Sequence, residues 1–186
     1  MSYFILTASW IFYLHFTVYS RAETVKKRIA FKFYRLCYTL FSAIGLMGLL
    51  TLNGSISGSF FFQNDGVVRY LSLMFTTFGV MTIQLSFRHY NLKSFVGLAD
   101  EKNELKIDGV LKYVRHPIYA GIMLVTIGFF LFIPNLPTLI SCLCIFIYLP
   151  IGIYFEERKL VETFGQDYLN YKEAVPAIIP RFPIRT

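Results

Sequence analysis

The sequence predicts an all-α fold: a multi-pass integral membrane bundle of about five helices, with the N-terminus outside and the C-terminus in the cytoplasm. Composition is the first observation, because 55% of the 186 residues are hydrophobic and only 16% are charged, against about a quarter in soluble domains. The second is that the charges lie in short segments between long apolar runs. A soluble protein this apolar would expose large hydrophobic patches, which a bilayer tolerates.

Five apolar runs have about the length that a membrane-crossing helix needs. They lie at residues 2–19, 33–52, 67–87, 118–133 and 138–155. The first lacks a basic start and a cleavage site, so we expect an uncleaved helix and not a signal peptide. The Pro-Asn-Leu-Pro segment at 134–137 predicts a tight reversal, which makes the last two spans a hairpin. Pro150 predicts a kink in the last span.

The basic residues predict the orientation of these spans. Six of the 18 lie between spans one and two, six between spans three and four, and five in the C-terminal tail. Cytoplasmic loops are enriched in Lys and Arg, so we expect these three segments in the cytoplasm. Arg69 lies on the outer side, where its side chain can reach the interface. The net charge of +7 therefore reflects membrane topology, and we expect lipid and no nucleic acid as a partner.

We expect a single membrane domain over residues 1–186. Residues 1–87 carry three spans, and residues 88–186 carry the last hairpin and a cytoplasmic C-terminal helix. The cysteines, Cys37, Cys142 and Cys144, all lie inside apolar runs. This placement predicts small buried hydrophobes and neither a disulfide nor a metal site.

The hairpin predicts a compact charged cluster at the cytoplasmic ends of the last two spans. Arg115 and His116 begin span four, and Glu156 and Glu157 end span five. Packed helices lie about 8 to 10 Å apart, so these side chains can share one pocket. The N–H groups after Pro117 and the Arg115 guanidinium suit a carboxylate, and the glutamates suit an ammonium or ribose hydroxyls. An ordinary helix start and a solvated helix end are the alternative.

Three motifs near the C-terminus carry a resemblance to a known family. They are Arg-His-Pro-Ile-Tyr-Ala-Gly at 115–121, Glu-Glu-Arg at 156–158, and Phe-Gly-Gln-Asp-Tyr-Leu-Asn-Tyr at 164–171, followed by Val175-Pro176 and Ile179-Pro180. The combined pattern resembles the isoprenylcysteine carboxyl methyltransferase and phospholipid methyltransferase superfamily, as a short bacterial-type member. The resemblance covers roughly residues 90 to 182. The segment at 88–98 is also similar to a thiol methyltransferase branch.

The resemblance implies an S-adenosylmethionine-dependent membrane methyltransferase. Its acceptor would be a small or lipid-soluble carboxylate, thiol or amine at the cytoplasmic face, and its location a bacterial inner membrane. The 88–186 hairpin would bind the cofactor. The residues matching cofactor-binding positions are Arg115, His116, Tyr119, Gly121, Glu156 and Glu157. Tyr168 and Tyr171 match the tail motif as candidate substrate-binding residues that either line the pocket or pack against it.

The remaining candidate groups are His116, His89 and Gln84. A thiolate or carboxylate acceptor needs no base, whereas an amine or hydroxyl must lose a proton, for which His116 and His89 are the candidate catalytic residues. Gln84 is either a substrate-binding residue or an interhelical hydrogen-bond partner.

Two other functions stay open at this point. One is an NADPH-dependent membrane reductase, because sterol reductases have a similar C-terminal architecture. The other is a non-enzymatic membrane scaffold. The sequence does not predict an oligomeric state.

Overall fold

The computed structural model describes two continuous stretches, residues 59–89 and 107–180. It also describes shorter pieces at 7, 9–11, 44–45, 47–52, 54–56 and 105. Most of these residues are helical, and an isolated antiparallel bridge joins Phe60 to Asn135. The bounded elements are α1 (Gly66–His89), a 3-10 helix (Gly109–Lys112), α2 (Pro117–Phe132), α3 (Leu136–Phe164) and α4 (Gln166–Ala174).

Helices α1, α2 and α3 occupy the third, fourth and fifth predicted runs. Among the described residues, Gly66–Arg88 and Leu136–Phe164 are long and apolar enough to cross a membrane, whereas α2 is apolar but shorter. The first two predicted runs, 2–19 and 33–52, lie largely outside the described residues, as does Cys37. Five spans and the orientation of the termini stay predictions.

Helix α3 is longer than the apolar run that predicted it. The run ends at residue 155, but the helix continues to Phe164. Hydropathy falls where Glu156 begins a charged segment, yet Glu, Arg, Lys and Leu are all good helix formers. The two glutamates therefore lie inside a helix and not at its end. The helix also contains Pro150 within its bounds.

Local sequence explains where these helices begin and end. Pro117 occupies the first turn of α2, where its missing N–H is not needed. The Asn135 side chain accepts a hydrogen bond from the Thr138 N–H at 2.9 Å and caps α3. Gly165 separates α3 from α4 with a φ of 56°, which a residue with a Cβ rarely adopts. This turn brings α4 back toward α3.

Small residues let α1 and α2 pack with their backbones in contact. A Cβ on Gly79 would lie 2.7 Å from the Gly121 carbonyl oxygen, and one on Gly121 would lie 2.5 Å from Ile83 Cγ1. Gly128 makes the same kind of approach to Thr76. Close backbone approach of this kind is how helices associate in membranes. Gly121, a predicted cofactor-binding residue, thus lies at the contact between α1 and α2.

Candidate functional site

A buried carboxylate, that of Glu157, lies at the centre of a charged cluster. Its Oε1 atom accepts from Arg115 Nη2 at 2.6 Å and from Arg115 Nε at 3.2 Å. His116 Nε2 lies 3.2 Å from the same oxygen, and Lys172 Nζ lies 2.6 Å from Oε2. Arg115, His116 and Glu157 are each at least nine-tenths buried. The structure therefore brings together side chains that are more than forty positions apart, as the hairpin predicts.

Glu156 and Glu157 face different surroundings. The Oε2 atom of Glu156 lies 3.7 Å from His116 Nδ1, and the Glu156 side chain is 35% exposed. Consecutive residues on a helix point about 100° apart, so one glutamate faces the buried cluster while its neighbour faces outward. The Glu156 side chain is thus partly open to solvent, whereas both oxygens of Glu157 already bind cations of the protein.

Arg115 ties the C-terminal segment to the start of α2. Its Nη1 atom donates to the carbonyl oxygens of Lys172 and Val175. Its backbone N–H donates to the Pro176 carbonyl at 2.9 Å, and the next N–H, of His116, donates to that of Ala177. Four hydrogen bonds thus occupy the guanidinium, which has five N–H groups in all. The side chain predicted to bind a ligand carboxylate is instead largely engaged within the protein.

Two tyrosines of α4 pack against each other beside this cluster. Their ring centroids are 5.9 Å apart, and Tyr168 and Tyr171 are 1% and 6% exposed. The Tyr171 hydroxyl donates to the Leu111 carbonyl at 2.6 Å, whereas the Tyr168 hydroxyl has no hydrogen-bond partner within the described part of the chain. Burial raises the pKa of Tyr171 to about 12 and raises the pKa of Tyr168 as well. Both hydroxyls are therefore protonated at neutral pH.

Tyr119 borders the cluster from α2. Its ring meets the His116 ring edge to face, with centroids 5.6 Å apart. A Cβ on Gly152 of α3 would lie 3.2 Å from the Tyr119 hydroxyl oxygen, so this glycine leaves room for the tyrosine. Gly152 was not among the predicted site residues, although a small residue one turn before Glu156 was a signal for it.

The two remaining predicted residues lie near the C-terminal end of α1. Gln84 is on α1 with an exposed side chain, and His89 is the last residue of that helix. The His89 side chain lies outside the described atoms. Lys172, in contrast, is a site residue that the sequence argument missed. Its position directly after Tyr171 in the tail motif was the available signal.

An open cavity of about 380 Å³ is lined by residues of the C-terminal part of α3 and by one residue of α4. Two of its lining residues, Tyr154 and Val161, share one face of α3 with Glu157 because they lie three positions before it and four positions after it. Arg158, the residue after Glu157, also lines the cavity. Glu162 and Lys172 complete the lining. Both members of the Glu157–Lys172 ion pair, joined at 2.6 Å between Oε2 and Nζ, therefore line this cavity.

The sequence matches the model of the phospholipid methyltransferase family over residues 66–167. This match covers more than half of the chain and includes the two motifs that form the charged cluster. The chain belongs to the phospholipid methyltransferase family. The resemblance inferred from the motifs is thereby confirmed.

Curated relatives in this family share part of their length with the chain. Methanethiol S-methyltransferase 1 of Bradyrhizobium diazoefficiens is 33% identical over 116 residues, 58% of this chain and 38% of the relative. Protein-S-isoprenylcysteine O-methyltransferase of Schizosaccharomyces pombe is 34% identical over 90 residues, 46% of this chain and 38% of the relative. Methanethiol S-methyltransferase of Crocosphaera subtropica is 28% identical over 162 residues, 78% of this chain and 60% of the relative. The chain thus spans less than two thirds of each, and no solved structure matches it.

Proposed function

We propose that this protein is an S-adenosylmethionine-dependent membrane methyltransferase that acts on a small or lipid-soluble acceptor at the cytoplasmic face of a bacterial inner membrane. The observation that supports this proposal most is the buried cluster of Arg115, His116 and Glu157, with the partly exposed Glu156 carboxylate beside it. Both parts of the cluster fall within the region that matches the family.

The residues present fit this cofactor. S-adenosylmethionine supplies a methyl group on a sulfonium cation and also carries an ammonium, a carboxylate and ribose hydroxyls. Glu156 offers carboxylate oxygens to the ammonium or to the hydroxyls. The Tyr119 ring, which contacts His116, offers a face to a cation. These groups occupy one corner of the hairpin, so a single ligand can contact several of them.

Methyl transfer is an in-line displacement, so the protein chiefly aligns the reactants and excludes water. Arg115 serves this alignment by holding α4 and the tail against the start of α2. Both ring nitrogens of His116 face carboxylates, at 3.2 Å and 3.7 Å, so this ring orients Glu156 and Glu157. His89, at the end of α1, is then the candidate base for an acceptor that must lose a proton.

A small thiol is the acceptor that this arrangement favours. A thiol loses its proton to water far more readily than a hydroxyl does, and the small thiolate fraction present at neutral pH is strongly nucleophilic without a neighbouring base, which suits a cluster whose histidine is engaged with two carboxylates. Two of the relatives compared above carry the name methanethiol S-methyltransferase, which supports the same class. An apolar acceptor can enter sideways between helices such as α1 and α3, while the polar donor arrives from the aqueous side.

The test is ligand binding by the purified protein in detergent. S-adenosylhomocysteine should raise the melting temperature and NADPH should not, because a ligand stabilises the folded state that binds it. Glu156→Ala should abolish S-adenosylhomocysteine binding in calorimetry while the ligand-free melting temperature stays near that of the wild type. Transfer of a labelled methyl group to methanethiol then tests the acceptor. Stabilisation by NADPH, or by neither ligand, would contradict the proposal.

A further inference from the structure

Helix α1 packs against α2 with one face, and the part of the chain that the structure describes leaves the opposite face of α1 uncovered. Buried residues recur at every seventh position of α1, at Ser72, Gly79 and Ser86. The first two lie against Gly128 and Gly121 of α2. Only 11% of the apolar stretch of α1 is buried, against 44% of that of α3. Among the described helices, α1 therefore lies at the edge of the bundle.

The uncovered face carries a row of exposed side chains with alternating spacings of three and four positions. Positions 70, 77 and 84 each lie two residues before a buried position of α1, which directs them about 160° away from it at about 100° per residue. Residues with this spacing form one stripe along a helix, and the same spacing builds the contact between paired helices. The row consists of Val67, Tyr70, Met74, Thr77, Met81 and Gln84.

Two polar side chains in this row, Thr77 and Gln84, have no hydrogen-bond partner among the described residues. Thr82 on the same helix, in contrast, donates to the Phe78 carbonyl at 2.8 Å. The apolar stretch ends at Arg88, and Gln84 lies about 6 Å inside that end at about 1.5 Å per residue. Lipid tails suit the apolar members of the row, but they offer no hydrogen bond to an amide. Glutamine side chains in membrane helices bond across to a neighbouring helix.

The described parts of the first two predicted spans lie elsewhere in the bundle. Ile11 and Leu50 belong to an apolar cluster with α3 residues that include Leu149. A Cβ on Gly54 would lie 3.0 Å from Ile133 Cδ1, at the end of α2. These contacts hold both segments against α2 and α3, so the partner for the row on α1 must come from another molecule.

We propose that this row is the contact surface for a second copy of the chain, in a symmetric dimer that pairs α1 with α1. Both copies cross the membrane in the same direction, so the two-fold axis is normal to the bilayer and the two helices run parallel. Each residue of the row then faces its own counterpart, as in any two-fold contact. An amide carries both a donor and an acceptor, so the two Gln84 side chains can satisfy each other.

The other members of the row fit the same contact. Thr77 lies near the middle of the helix, and small residues there let two membrane helices approach closely. Arg88 continues the row at the aqueous boundary, where its long side chain can reach water. The sequence left Gln84 as either a substrate-binding residue or an interhelical hydrogen-bond partner, and this proposal assigns it the second role.

The first experiment measures self-association of the full chain in vesicles of phosphatidylcholine and phosphatidylglycerol. Chains labelled with donor or acceptor dye at the C-terminus should show energy transfer that falls as the lipid-to-protein ratio rises. Gln84→Leu should weaken the association by about fivefold or more, as expected for one or two lost interhelical hydrogen bonds. Gln63→Leu is the matched control, because Gln63 is an exposed glutamine that precedes α1. It should leave the association within about twofold of the wild type.

The second experiment maps the contact by disulfide crosslinking between copies. Thr77 and Phe78 are both exposed and have nearly the same depth, but they point about 100° apart. Thr77→Cys should crosslink readily under mild oxidation, whereas Phe78→Cys should not. Both variants carry Cys37→Ser, since the other two native cysteines are buried.

Three results would overturn the proposal. A chain that stays monomeric at every lipid-to-protein ratio would mean that lipid or another segment of the same chain covers the row. Association that Gln84→Leu leaves unchanged, or equal crosslinking at positions 77 and 78, would place the contact on another surface. If Gln84→Leu fails to fold, the crosslinking pair still decides, because both variants keep Gln84. Neither measurement involves the methyl donor, so its outcome is independent of the proposed function.

Discussion

The two ends of the α2–α3 hairpin hold their polar groups in different ways. At the reversal end, residues 133–138, Asn135 caps α3 by accepting from the Thr138 N–H. The Phe61 N–H donates to the Pro134 carbonyl at 2.8 Å and fastens the preceding segment to the same turn. These bonds join neutral groups, and each contributes about 1 kcal/mol.

At the charged end, buried ionic groups replace the neutral ones. Glu157 binds Arg115, His116 and Lys172 within 3.2 Å. One of these partners is half-exposed, and Glu156 beside them has oxygens that face outward. Removing one member of a buried ion pair leaves an uncompensated charge, which costs several kcal/mol. The comparison teaches that the reversal end closes the fold with neutral hydrogen bonds, whereas the charged end combines a strong internal junction with two charged side chains, Lys172 and Glu156, that are partly exposed.

The largest expected effect follows from removing the junction at the charged end. Arg115→Met should destabilise the protein by about 3 to 5 kcal/mol. The buried Glu157 carboxylate loses its buried cation, and the carbonyl oxygens of Lys172 and Val175 lose their donor. Thermal unfolding in detergent measures this. Arg158→Met, at an exposed arginine, is the control and should shift the melting temperature little. Equal shifts for the two variants would contradict the central role of Arg115.

The second effect concerns Gly121, for which the resemblance implies cofactor binding and the structure shows helix packing. Gly121→Ala places a Cβ 2.5 Å from Ile83 Cγ1 and 2.7 Å from the Gly79 carbonyl oxygen. Overpacking of this kind costs about 1 to 3 kcal/mol, so the melting temperature should fall. Gly48→Ala is the control, because none of the residues that the structure describes comes within 4 Å of its Cβ position. A Gly121→Ala variant that melts like the wild type but loses S-adenosylhomocysteine affinity would favour the cofactor role.

The third effect tests the reversal end alone. Asn135→Ala removes the α3 cap and should destabilise the protein by about 1 kcal/mol. Because the reversal and the charged end lie at opposite ends of α3, the affinity for S-adenosylhomocysteine should stay unchanged in calorimetry. If Asn135→Ala lost as much affinity as Glu156→Ala, the claim that the reversal end takes no part in ligand binding would be wrong.

The sequence predicted that Arg115 and Glu157 lie close together, but it did not predict which other groups Arg115 binds. Pro134 and Pro137 flank a reversal, and that is enough to place Arg115 near Glu157, because the helices before and after it must run back along each other. The partners of Arg115 in α4 depend on where that helix lies. Its position is set by the turn at Gly165 and by the hydrogen bond from Tyr171, neither of which periodicity reveals.

The length of α3 is a second feature that the sequence pattern predicted only in part. The apolar run predicts an end at residue 155, since hydropathy reports contact with lipid. The helix continues to Phe164, since helix propensity does not depend on lipid. The extra turns carry Arg158, Val161 and Glu162, which line the cavity. The predicted spans therefore located Glu157 but not the cavity beside it.

The smallest effects compare two tyrosines one turn apart at the charged end. Tyr171→Phe removes a buried hydroxyl that donates to the Leu111 carbonyl and should destabilise the protein by about 1 kcal/mol. Tyr168→Phe removes a buried hydroxyl that has no partner among the described residues. Since an unpaired buried hydroxyl costs free energy that a phenylalanine does not, this variant should be as stable as the wild type or more stable.

Melting temperatures of the two ligand-free variants, measured side by side, decide the point. Both changes remove one oxygen from adjacent rings with similar burial, so the packing contribution is matched and the difference isolates the hydrogen bond. Equal losses of stability would mean that the Tyr168 hydroxyl is bonded after all, for instance through a buried water. The buried hydroxyls at the charged end would then be hydrogen-bonded like the polar groups at the reversal end. The difference between the two ends would depend only on the partly exposed side chains of Lys172 and Glu156.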